Sequence, residues 1–572
     1  KVMTKKKKSI LSDQRFIVLL VIIALSAVFS FMSKEFRQYT TILSMLDFSY
    51  YDLLMAIGVT FPLITGGVDL SIGTGMVCYA LIGGTLVRSN NVPVVVAMLL
   101  CVVLGIAIGA LNGVLIGIMN LPPFLATLCT CMITRGAGSL CSATPWPTLN
   151  QPGGWFHSIF KLTIGQGRSA SRYPLGFLWM ILLVILMEFV LNHTKFGRYT
   201  IAIGSNKEAA ALSGINVKFY HVMVYVVCGL FTGLAAIAYA AVTPTVQPGT
   251  GAGLEMDAIG GVFVGGVAAV LIGSKGFNPF ITILLCLVIG LLVGVWQGYW
   301  IGYKRIPPFI TTLAGMFIFR GFGRLILDNK TVSIQDKGFL NVFTSYINIP
   351  GLDDTANYSA LIVGIVVAVY VIFNVVRSRA NKAKKGYRQN TAASDYSRAA
   401  VIAVVILWYC YKLYQYKGIS VMLVWVVAIC MIYNFITSKT AFGRYFYAIG
   451  GNEKATQLSG IDTNKVYFIA YTNMGLLAGL AGLLCAARVG SVNGSTGTSF
   501  EMDAIGSCFI GGASAYGGSG TVGGVVIGAL LLGVINMGMS IMGIGDSWQY
   551  VVKGAVLLIA VVFDVLSNRK NG

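Results

Sequence analysis

The residues of this chain that are best suited to chemistry are polar groups inside long apolar stretches. Asp69 and Ser71, in the sequence GGVDLSIG, follow two glycines that would interrupt a helix. An unwound helix end can aim backbone amides and side chains at a polar ligand. The same carboxylate would also serve to cap the helix that follows. The pattern therefore predicts a broken helix at 65–73, with either ligand binding or capping as the role of Asp69.

Two further pairs of polar residues occur in apolar segments of related sequence. Asn112 and Gln297 occupy equivalent places, and so do Arg135 and Arg320. Burying an amide or a guanidinium in a membrane is costly, so such residues are candidates for function. An arginine close to a helix end can instead extend its charged head to the interface. We interpret all four as candidates for a substrate pathway and leave the interfacial alternative open for the two arginines.

Enzyme chemistry is not indicated by the remaining reactive residues. The three histidines, His157, His193 and His221, have no partner at catalytic or metal-ligating spacing, and the eleven cysteines fall mostly inside apolar runs. We expect no disulfide framework and no metal site. A phosphate-binding loop needs the pattern G-x4-G-K-[ST], and the dipeptide Gly-Lys is absent from the sequence. The sequence therefore predicts a chain that is not an enzyme, binds no cofactor and draws energy from another polypeptide.

The elements that position these residues must be membrane helices. Of the 572 residues, 56% are hydrophobic and only 11% are charged, and the mean hydropathy is +0.78. Such a chain cannot hide its apolar surface in a soluble core. Apolar runs long enough to cross about 30 Å of hydrocarbon recur along it. We predict an all-α, polytopic transmembrane helical bundle with about sixteen spans.

The formal net charge of +21 indicates membrane orientation and not nucleic-acid binding. The lysines and arginines lie in short loops beside apolar runs, which places those loops on the cytoplasmic side. The basic stretches at 5–8, 377–388 and 569–570 are therefore expected in the cytoplasm with both termini, and the loops at 142–173 and 328–356 outside. We predict contact with membrane lipid and no binding of nucleic acid. The first apolar run lacks a cleavage pattern and is expected to remain as an uncleaved helix.

Two polar segments between apolar runs are near copies of each other. Residues 197–215 read GRYTIAIGSNKEAAALSGI and residues 443–461 read GRYFYAIGGNEKATQLSGI, with 12 of 19 positions identical. We call them the first and second Gly-Arg segments. Glycine breakers around good helix formers predict a short surface helix in each, and the duplication of a polar surface element indicates docking of a water-soluble partner. The alternative is an ordinary loop with a positive-inside arginine. The residues expected to carry the docking role are Gly197, Arg198, Gly204, Asn206, Ala209, Ser213, Gly214, Gly443, Arg444, Gly450, Asn452, Ala455, Ser459 and Gly460.

The repeat extends well beyond the two segments. Their numbering differs by 443 − 197 = 246, and this longer offset also carries EMDAIG at 255–260 onto 501–506. A second alignment carries 96–138 onto 281–323 with a shorter offset, 281 − 96 = 185. Because the two offsets differ, the second unit must hold an insertion between the two matched regions. The loop of Arg198 and the turn at Lys304 and Arg305 are both expected in the cytoplasm, so an even number of full crossings must separate them. Three apolar segments lie between them. The shortest and most glycine-rich, 257–274, is therefore expected to be re-entrant.

These offsets predict three parts. Residues 1–39 form a basic N-terminus and the first transmembrane helix. Residues 40–269 form a first unit that lacks its C-terminal helices. Residues 267–572 form a second, related unit that lacks the N-terminal VDLSIG module.

The pattern GR-x3-AIG-x-N-x2-A-x3-SGI, with TGGVDLSIG upstream and EMDAIG downstream, resembles the permease subunits of bacterial sugar ABC importers of the ribose, xylose and multiple-monosaccharide type. The resemblance covers nearly the whole chain. The first unit is similar to a ribose-type permease and the second to the longer xylose or multiple-sugar type. The resemblance implies an all-helical bundle like that of the vitamin B12 importers, and it implies that the two Gly-Arg segments insert into a cleft of a cytoplasmic ATPase.

The resemblance also implies a function and a set of partners. The chain would be the permease of an ATP-driven importer of a monosaccharide such as ribose, xylose or galactose, in the inner membrane of a bacterial cell. Its partners would be a cytoplasmic ABC ATPase that uses ATP, an extracytoplasmic sugar-binding protein and a second permease copy. Trp296, which adjoins Gln297, suits stacking on a sugar face, although tryptophan is also common at membrane interfaces. It completes the candidate substrate pathway.

Three alternatives stay open at the level of sequence. The chain could be a secondary transporter driven by an ion gradient, for which intramembrane acidic pairs and inverted repeats are typical. It could be a related permease for branched-chain amino acids or nucleosides. The missing head of one unit and the missing tail of the other also fit a non-functional fusion of two permease genes.

Overall fold

A computed structural model describes residues 14–571 except 149–150, 165–170, 244, 249–260, 329, 350–356, 385–390, 416, 495, 498–499 and 515–516. About 80% of the structure is helical and strands are very few among the described residues, which confirms the predicted all-α class. Up to Val242 the helices are α1 (Gln14–Met32), α2 (Tyr39–Ile64), α3 (Ile72–Asn90), α4 (Val94–Gly113), α5 (Pro123–Ser139), α6 (Leu175–His193), α7 (Lys195–Ser205), α8 (Lys207–Leu212) and α9 (Val217–Val242).

The second half of the chain continues the same architecture. Its helices are α10 (Gly261–Ala269), α11 (Pro279–Gly298), α12 (Pro308–Ile326), α13 (Lys337–Thr344), α14 (Tyr358–Lys384), α15 (Ala392–Tyr414), α16 (Val421–Lys439), α17 (Ala441–Gly451), α18 (Glu453–Leu458), α19 (Thr463–Val489), α20 (Phe500–Ile510), α21 (Val522–Ile541) and α22 (Asp546–Asn571). Two short antiparallel pairs join strand β1 (Leu162–Ile164) to β2 (Ser171–Tyr173) and β3 (Val332–Ser333) to β4 (Ser491–Val492).

Thirteen of the described helices are long and apolar enough to cross a membrane. The sequence predicted about sixteen spans. Two further helices with apolar sequence are not among the thirteen: α1, whose apolar part covers 20–32, and α5, which has 17 residues. The chain is therefore a multi-pass membrane protein of the predicted polytopic kind.

The chain forms two compact units. The first consists of residues 1–255 together with 530–572, and the second of residues 256–529, so the boundary near the C-terminus falls inside α21. In the first unit α9 packs against α4 and α2, and α5 packs against α3 and α22. In the second unit α19 packs against α11 and α10, and α14 pairs with α15.

The two units share one packing device, a seam of glycines between two long helices. In the first unit a Cβ on Gly105 would overlap the carbonyl oxygen of Gly229, and the reverse also holds. In the second unit a Cβ on Gly290 would lie 2.8 Å from the carbonyl oxygen of Gly475. Gly290 matches Gly105 at the shorter offset, and Gly475 matches Gly229 at the longer one. Small residues let helix backbones approach closely in lipid, so both alignments describe the same helix pair.

A short π-helical turn also recurs at the same place. One such turn, at Val114–Ile118, continues α4, and another, at Tyr299–Tyr303, continues α11. The two turns are related by the shorter offset. Each leads into a hairpin that turns at a residue with a positive φ and enters the next helix at a proline.

In the run at 257–274, the structure describes residues 261–274, and these are helical. α10 has 9 residues and is continued by a π-helical turn of 5 residues at Val270–Ser274. Positions 257–260 lie outside the described residues. A segment of this length is too short for a full crossing. Its predicted re-entrant path stays a prediction.

The glycine seam gives a direct test of the fold. We expect Gly229→Leu to lower the free energy of unfolding by about 1–3 kcal/mol, because a side chain there would force α4 and α9 apart. The measurement is the thermal unfolding midpoint of the purified protein in detergent. The control is Gly538→Leu in α21, where no described heavy atom lies within 4 Å of the added Cβ. Equal midpoints for the two variants would contradict the assigned seam.

Candidate functional sites

Each Gly-Arg segment folds into two short helices with a sharp interruption between them. The first segment forms most of α7 and all of α8, and the second forms most of α17 and all of α18. The interrupting residue is Asn206 in one and Asn452 in the other, with φ of −158° in both. Two distant parts of the sequence have therefore adopted one local structure, with the short helix that the sequence predicted after the asparagine.

Side-chain caps explain most of the repeated polar residues. The Asn206 Oδ1 atom accepts a hydrogen bond from the Ala209 amide at 2.9 Å, and Asn452 accepts one from the Ala455 amide at the same distance. A threonine that precedes each segment accepts a bond from the amide of Gly197 or Gly443. Such caps satisfy amides that a helix start leaves without partners.

The end of each segment is fixed in the same way. Gly214 and Gly460 have φ of +81° and +83°, a conformation that favours glycine and ends the helix. The Ser213 hydroxyl donates to the carbonyl oxygen of Ala209 at 2.8 Å, and its counterpart in the second segment does the same at 2.9 Å. These glycines and serines fix the shape of the segment, and the serine hydroxyls are engaged in hydrogen bonds within it.

Gly204 and Gly450 do not interrupt their helices, although the sequence predicted glycine breakers in these segments. Both lie within their helices, and the helices end at the residues that follow. A Cβ on Gly204 would overlap the carbonyl oxygen of Ile64, and a Cβ on Gly450 would lie 2.5 Å from the amide nitrogen of Gly518. Glycine is required at both positions because another backbone passes there.

The exposed side chains that recur in both segments include one arginine and one leucine. Arg198 and Arg444 are exposed. Leu212 and Leu458 are each 90% exposed and are related by the longer offset. Sequence reasoning missed these leucines, although a leucine repeated within a polar segment was a usable signal. Fully exposed apolar side chains at matched places are typical of a docking surface.

The second Gly-Arg segment is fastened to a neighbouring hairpin by Arg305. The Arg305 Nη1 atom donates to Glu453 Oε1 at 2.5 Å, its Nη2 atom to Thr463 Oγ1 at 2.8 Å, and its Nε atom to Asn464 Oδ1 at 2.8 Å. Its guanidinium also lies over the ring of Tyr467. Arg305 has a φ of +55°, which is uncommon for a side chain of this size.

The first segment has no equivalent chemistry at the matching positions. Asn120 matches Arg305 at the shorter offset, and it has nearly the same φ, +56°. Lys207 stands where the second segment has Glu453. The same backbone turn is therefore kept in both units, while the arginine bridge belongs to the second alone.

The hydrogen bond from Arg305 holds the pKa of the Glu453 carboxyl below its usual range. A carboxyl with a lowered folded pKa stabilises the protein above its unfolded pKa and loses that contribution as pH falls through the folded one. We expect Arg305→Asn to lower the unfolding midpoint at pH 7, and we expect the gap from the wild type to narrow as pH falls from about 5 to 3. Thermal unfolding scans of both proteins at several pH values measure the difference between their midpoints. A gap that does not change with pH would contradict the bridge.

The broken helix predicted at 65–73 is present and carries a buried polar hub, which consists of Asp69, Ser71, Asn112 and Thr130. α2 ends at Ile64 and α3 begins at Ile72. The Asp69 Oδ1 atom accepts bonds from the amide and the hydroxyl of Ser71, at 2.9 and 2.6 Å. The carboxylate thus binds the start of α3, in keeping with the capping interpretation.

The hub also ties the broken helix to α4 and α5. The Asn112 Nδ2 atom donates to Ser71 Oγ at 3.0 Å, and the Thr130 hydroxyl donates to Asn112 Oδ1 at 2.9 Å. Asn112 is 0% exposed and Asp69 is 4% exposed. The structure therefore brings together three of the candidate pathway residues, Asp69, Ser71 and Asn112, in a closed arrangement that a ligand could reach only after helices separate.

Tyr225 of α9 lies beside the same break and was not predicted. Its buried hydroxyl has no hydrogen-bond partner among the described residues. A Cβ on Gly67 would overlap that hydroxyl. Gly67 within the break thus leaves room for the Tyr225 hydroxyl. The tyrosine recurs as Tyr471 at the longer offset.

The other candidate residues make different contacts. Arg135 lies on α5, with its guanidinium 4.4 Å from the ring centre of Tyr550. In the second unit, the Trp296 ring contacts Phe319 edge to face. Arg320 is half-buried on α12. None of these three is described in contact with Asp69.

Gln297 shows what the absence of the VDLSIG module does to the second unit. It is buried in α11 at the place of Asn112, yet its Nε2 atom has no hydrogen-bond partner among the described residues. The second unit lacks an Asp69 counterpart, and Gly315 replaces Thr130 at the shorter offset. The position is preserved, but the hub around it is not.

Substitution of Asn112, whose side-chain amide is hydrogen-bonded, can be compared with substitution of Gln297, whose amide nitrogen has no described partner. We expect Asn112→Leu to destabilise the protein by about 1–3 kcal/mol, because it leaves the groups of the hub without their partner. We expect Gln297→Leu to be neutral or stabilising, because it removes a buried donor that bonds to nothing. Denaturation of both purified variants measures the difference. The same loss in both would show that the hub contributes no special stability.

Among the residues that the structure describes, no group of three or more His, Cys, Asp and Glu side chains could hold a metal ion. Several polar groups in the described bundle bind helix ends or bond to each other, as at Asn206 and in the hub at Asp69, while Tyr225 and Gln297 keep a buried polar atom without a described partner. The two Gly-Arg segments lie at the surface. A bundle of this kind defines the general class of membrane permeases.

The chain belongs to the family described as the permease component of the branched-chain amino acid transport system, whose model matches residues 41–277 and again residues 267–561. The xylose transport system permease protein of Haemophilus influenzae is 35% identical over 307 residues, which are 54% of this chain and 80% of that relative. The ribose import permease protein of Escherichia coli K12 is 34% identical over 283 residues, which are 47% of this chain and 81% of that relative. No solved structure matches the chain significantly. The predicted resemblance to sugar permeases is confirmed.

Proposed function

We propose that the chain is the transmembrane permease subunit of an ATP-driven monosaccharide importer. The relatives named for xylose and ribose support a pentose or similar sugar as the substrate. The observation that carries the proposal is the pair of Gly-Arg segments, which are folded alike and present the same exposed leucine and arginine. A duplicated handle of this kind suits a partner that offers two equivalent clefts.

The energy for transport would come from outside the chain. Gly-Lys is absent from the sequence, so no phosphate-binding loop of the common type is present. A separate cytoplasmic ABC ATPase would bind ATP and grip the Gly-Arg segments at Leu212 and Leu458. An extracytoplasmic sugar-binding protein would deliver the sugar, and a second permease copy would complete the assembly.

Transport would proceed by a change in the helix bundle. Because the two segments are joined directly to α6, α9, α16 and α19, movement of the ATPase would displace those helices. The hub at Asp69 would then open or close, since it joins α3, α4 and α5. The ATPase supplies the work through contacts that differ between its ATP-bound and free states. The chain would lie in the bacterial inner membrane with both termini in the cytoplasm.

The exposed leucines provide the test of this function. Burying one leucine contributes about 1.5–3 kcal/mol, so losing both should weaken ATPase binding at least roughly tenfold. We expect the double variant Leu212→Asp/Leu458→Asp to lose sugar-dependent ATP hydrolysis and uptake in proteoliposomes that contain the ATPase and the binding protein. Its unfolding midpoint should be unchanged, because both side chains are 90% exposed and make little contact within the chain.

The matched control is Leu212→Met/Leu458→Met, which keeps an apolar side chain and should retain uptake. Labelled xylose, ribose and leucine, supplied in parallel, distinguish the proposed sugar from a branched-chain amino acid. Uptake that persists without the ATPase would instead indicate an ion-driven transporter. No uptake of any substrate by the wild-type chain would indicate a non-functional fusion.

A further inference from the structure

The last helix of the chain packs against the first unit. α22 follows the second repeat in sequence, yet it belongs to the compact unit that contains residues 1–255. Its packing partner there is α5. The sequence alone had assigned this end of the chain to the second unit.

The contact between α5 and α22 is close enough to involve backbone on both sides. A Cβ on Gly136 would lie 2.6 Å from the carbonyl oxygen of Ser547 and 2.6 Å from Val551. A Cβ on Gly554 would lie 2.9 Å from the carbonyl oxygen of Cys129. Positions 547, 551 and 554 follow the i, i+4, i+7 spacing of one helix face, and the two helices run antiparallel.

Polar contacts reinforce the same face. The Ser547 hydroxyl donates to the carbonyl oxygen of Ser139 at 3.0 Å. The Arg135 guanidinium lies over the Tyr550 ring, and Lys553 approaches that ring as well. A cation held against an aromatic ring is worth most where water is excluded. Arg135 therefore contributes to joining α22 to the first unit.

The equivalent face of the second unit is open. Gly321 of α12 matches Gly136 at the shorter offset, and no described heavy atom lies within 4 Å of a Cβ added to it. Phe317 is 57% exposed, whereas its counterpart Met132 on α5 is 2% exposed. The face that α22 covers on α5 is thus not covered on α12 by any described residue.

From this placement we infer that α22 is the closing helix of the first unit, and that the first unit takes its C-terminal end from the end of the chain. The stretch that separates the two parts of the first unit, residues 256–529, is then an insertion within that unit. This inference concerns the architecture and does not depend on the proposed function.

A cross-linking experiment on the full chain tests the assignment. We expect Ser139→Cys/Ser547→Cys to form a disulfide, because these residues are in contact. After cleavage at a protease site inserted after Lys384, the two fragments should stay linked until they are reduced. The matched control is Arg324→Cys/Ser547→Cys, in which Arg324 matches Ser139 at the shorter offset. Linkage in the control and none in the first pair would overturn the inference.

A second measurement guards against misfolding of the cysteine variants. We expect Gly136→Leu to lower the unfolding midpoint by roughly 5 °C, because it forces α22 off α5. Gly321→Leu should leave the midpoint unchanged, since its added side chain meets open space. Equal shifts in the two variants, or a larger shift for Gly321→Leu, would contradict the assignment of α22 to the first unit.

Discussion

Direct backbone contact between two long helices underlies the rest of this architecture. In lipid the hydrophobic effect does not drive helices together, so packing has to come from close approach of their surfaces. The seam of Gly105 and Gly229, repeated as Gly290 and Gly475, provides that approach in each unit. Each seam joins a helix that ends in a π-helical turn to the helix that follows a Gly-Arg segment. The two Gly-Arg segments are therefore connected to the interior through a closely packed helix pair, α4 with α9 in the first unit and α11 with α19 in the second.

The two units differ most in what the seam supports. In the first unit it lies beside a complete polar hub, in which Asn112 satisfies the broken helix at Asp69. In the second unit Gln297 stands at the same place without a hydrogen-bond partner among the described residues. A buried donor without a partner lowers stability. The second unit is thus a permease core without the module that its core residue would bond to.

Much of this could be predicted from the sequence, because the repeat is visible in the residues themselves. The helical class, the broken helix at Asp69, the cap at Asn206 and the equivalence of Asn112 with Gln297 all follow from local pattern and offset. The repeat of Leu212 as Leu458 could have been noticed in the sequence, but periodicity alone does not show whether a partner helix covers a side chain, so the extent of its exposure needed the structure. The bridge from Arg305 to Glu453 and the packing of α22 on α5 both join parts of the chain that are far apart in sequence. Contacts of that range depend on how the helices are arranged in space, which composition and spacing do not determine.

The bridge at Arg305 has a mechanical consequence. Arg305 binds Glu453 of the second Gly-Arg segment together with Thr463 and Asn464 of α19, whereas the matching turn of the first unit has the uncharged Asn120. A displacement of the second segment would therefore pass to the hairpin at Arg305 through a charged link, and the sequence has no charged residue at position 120 to form the same link in the first unit.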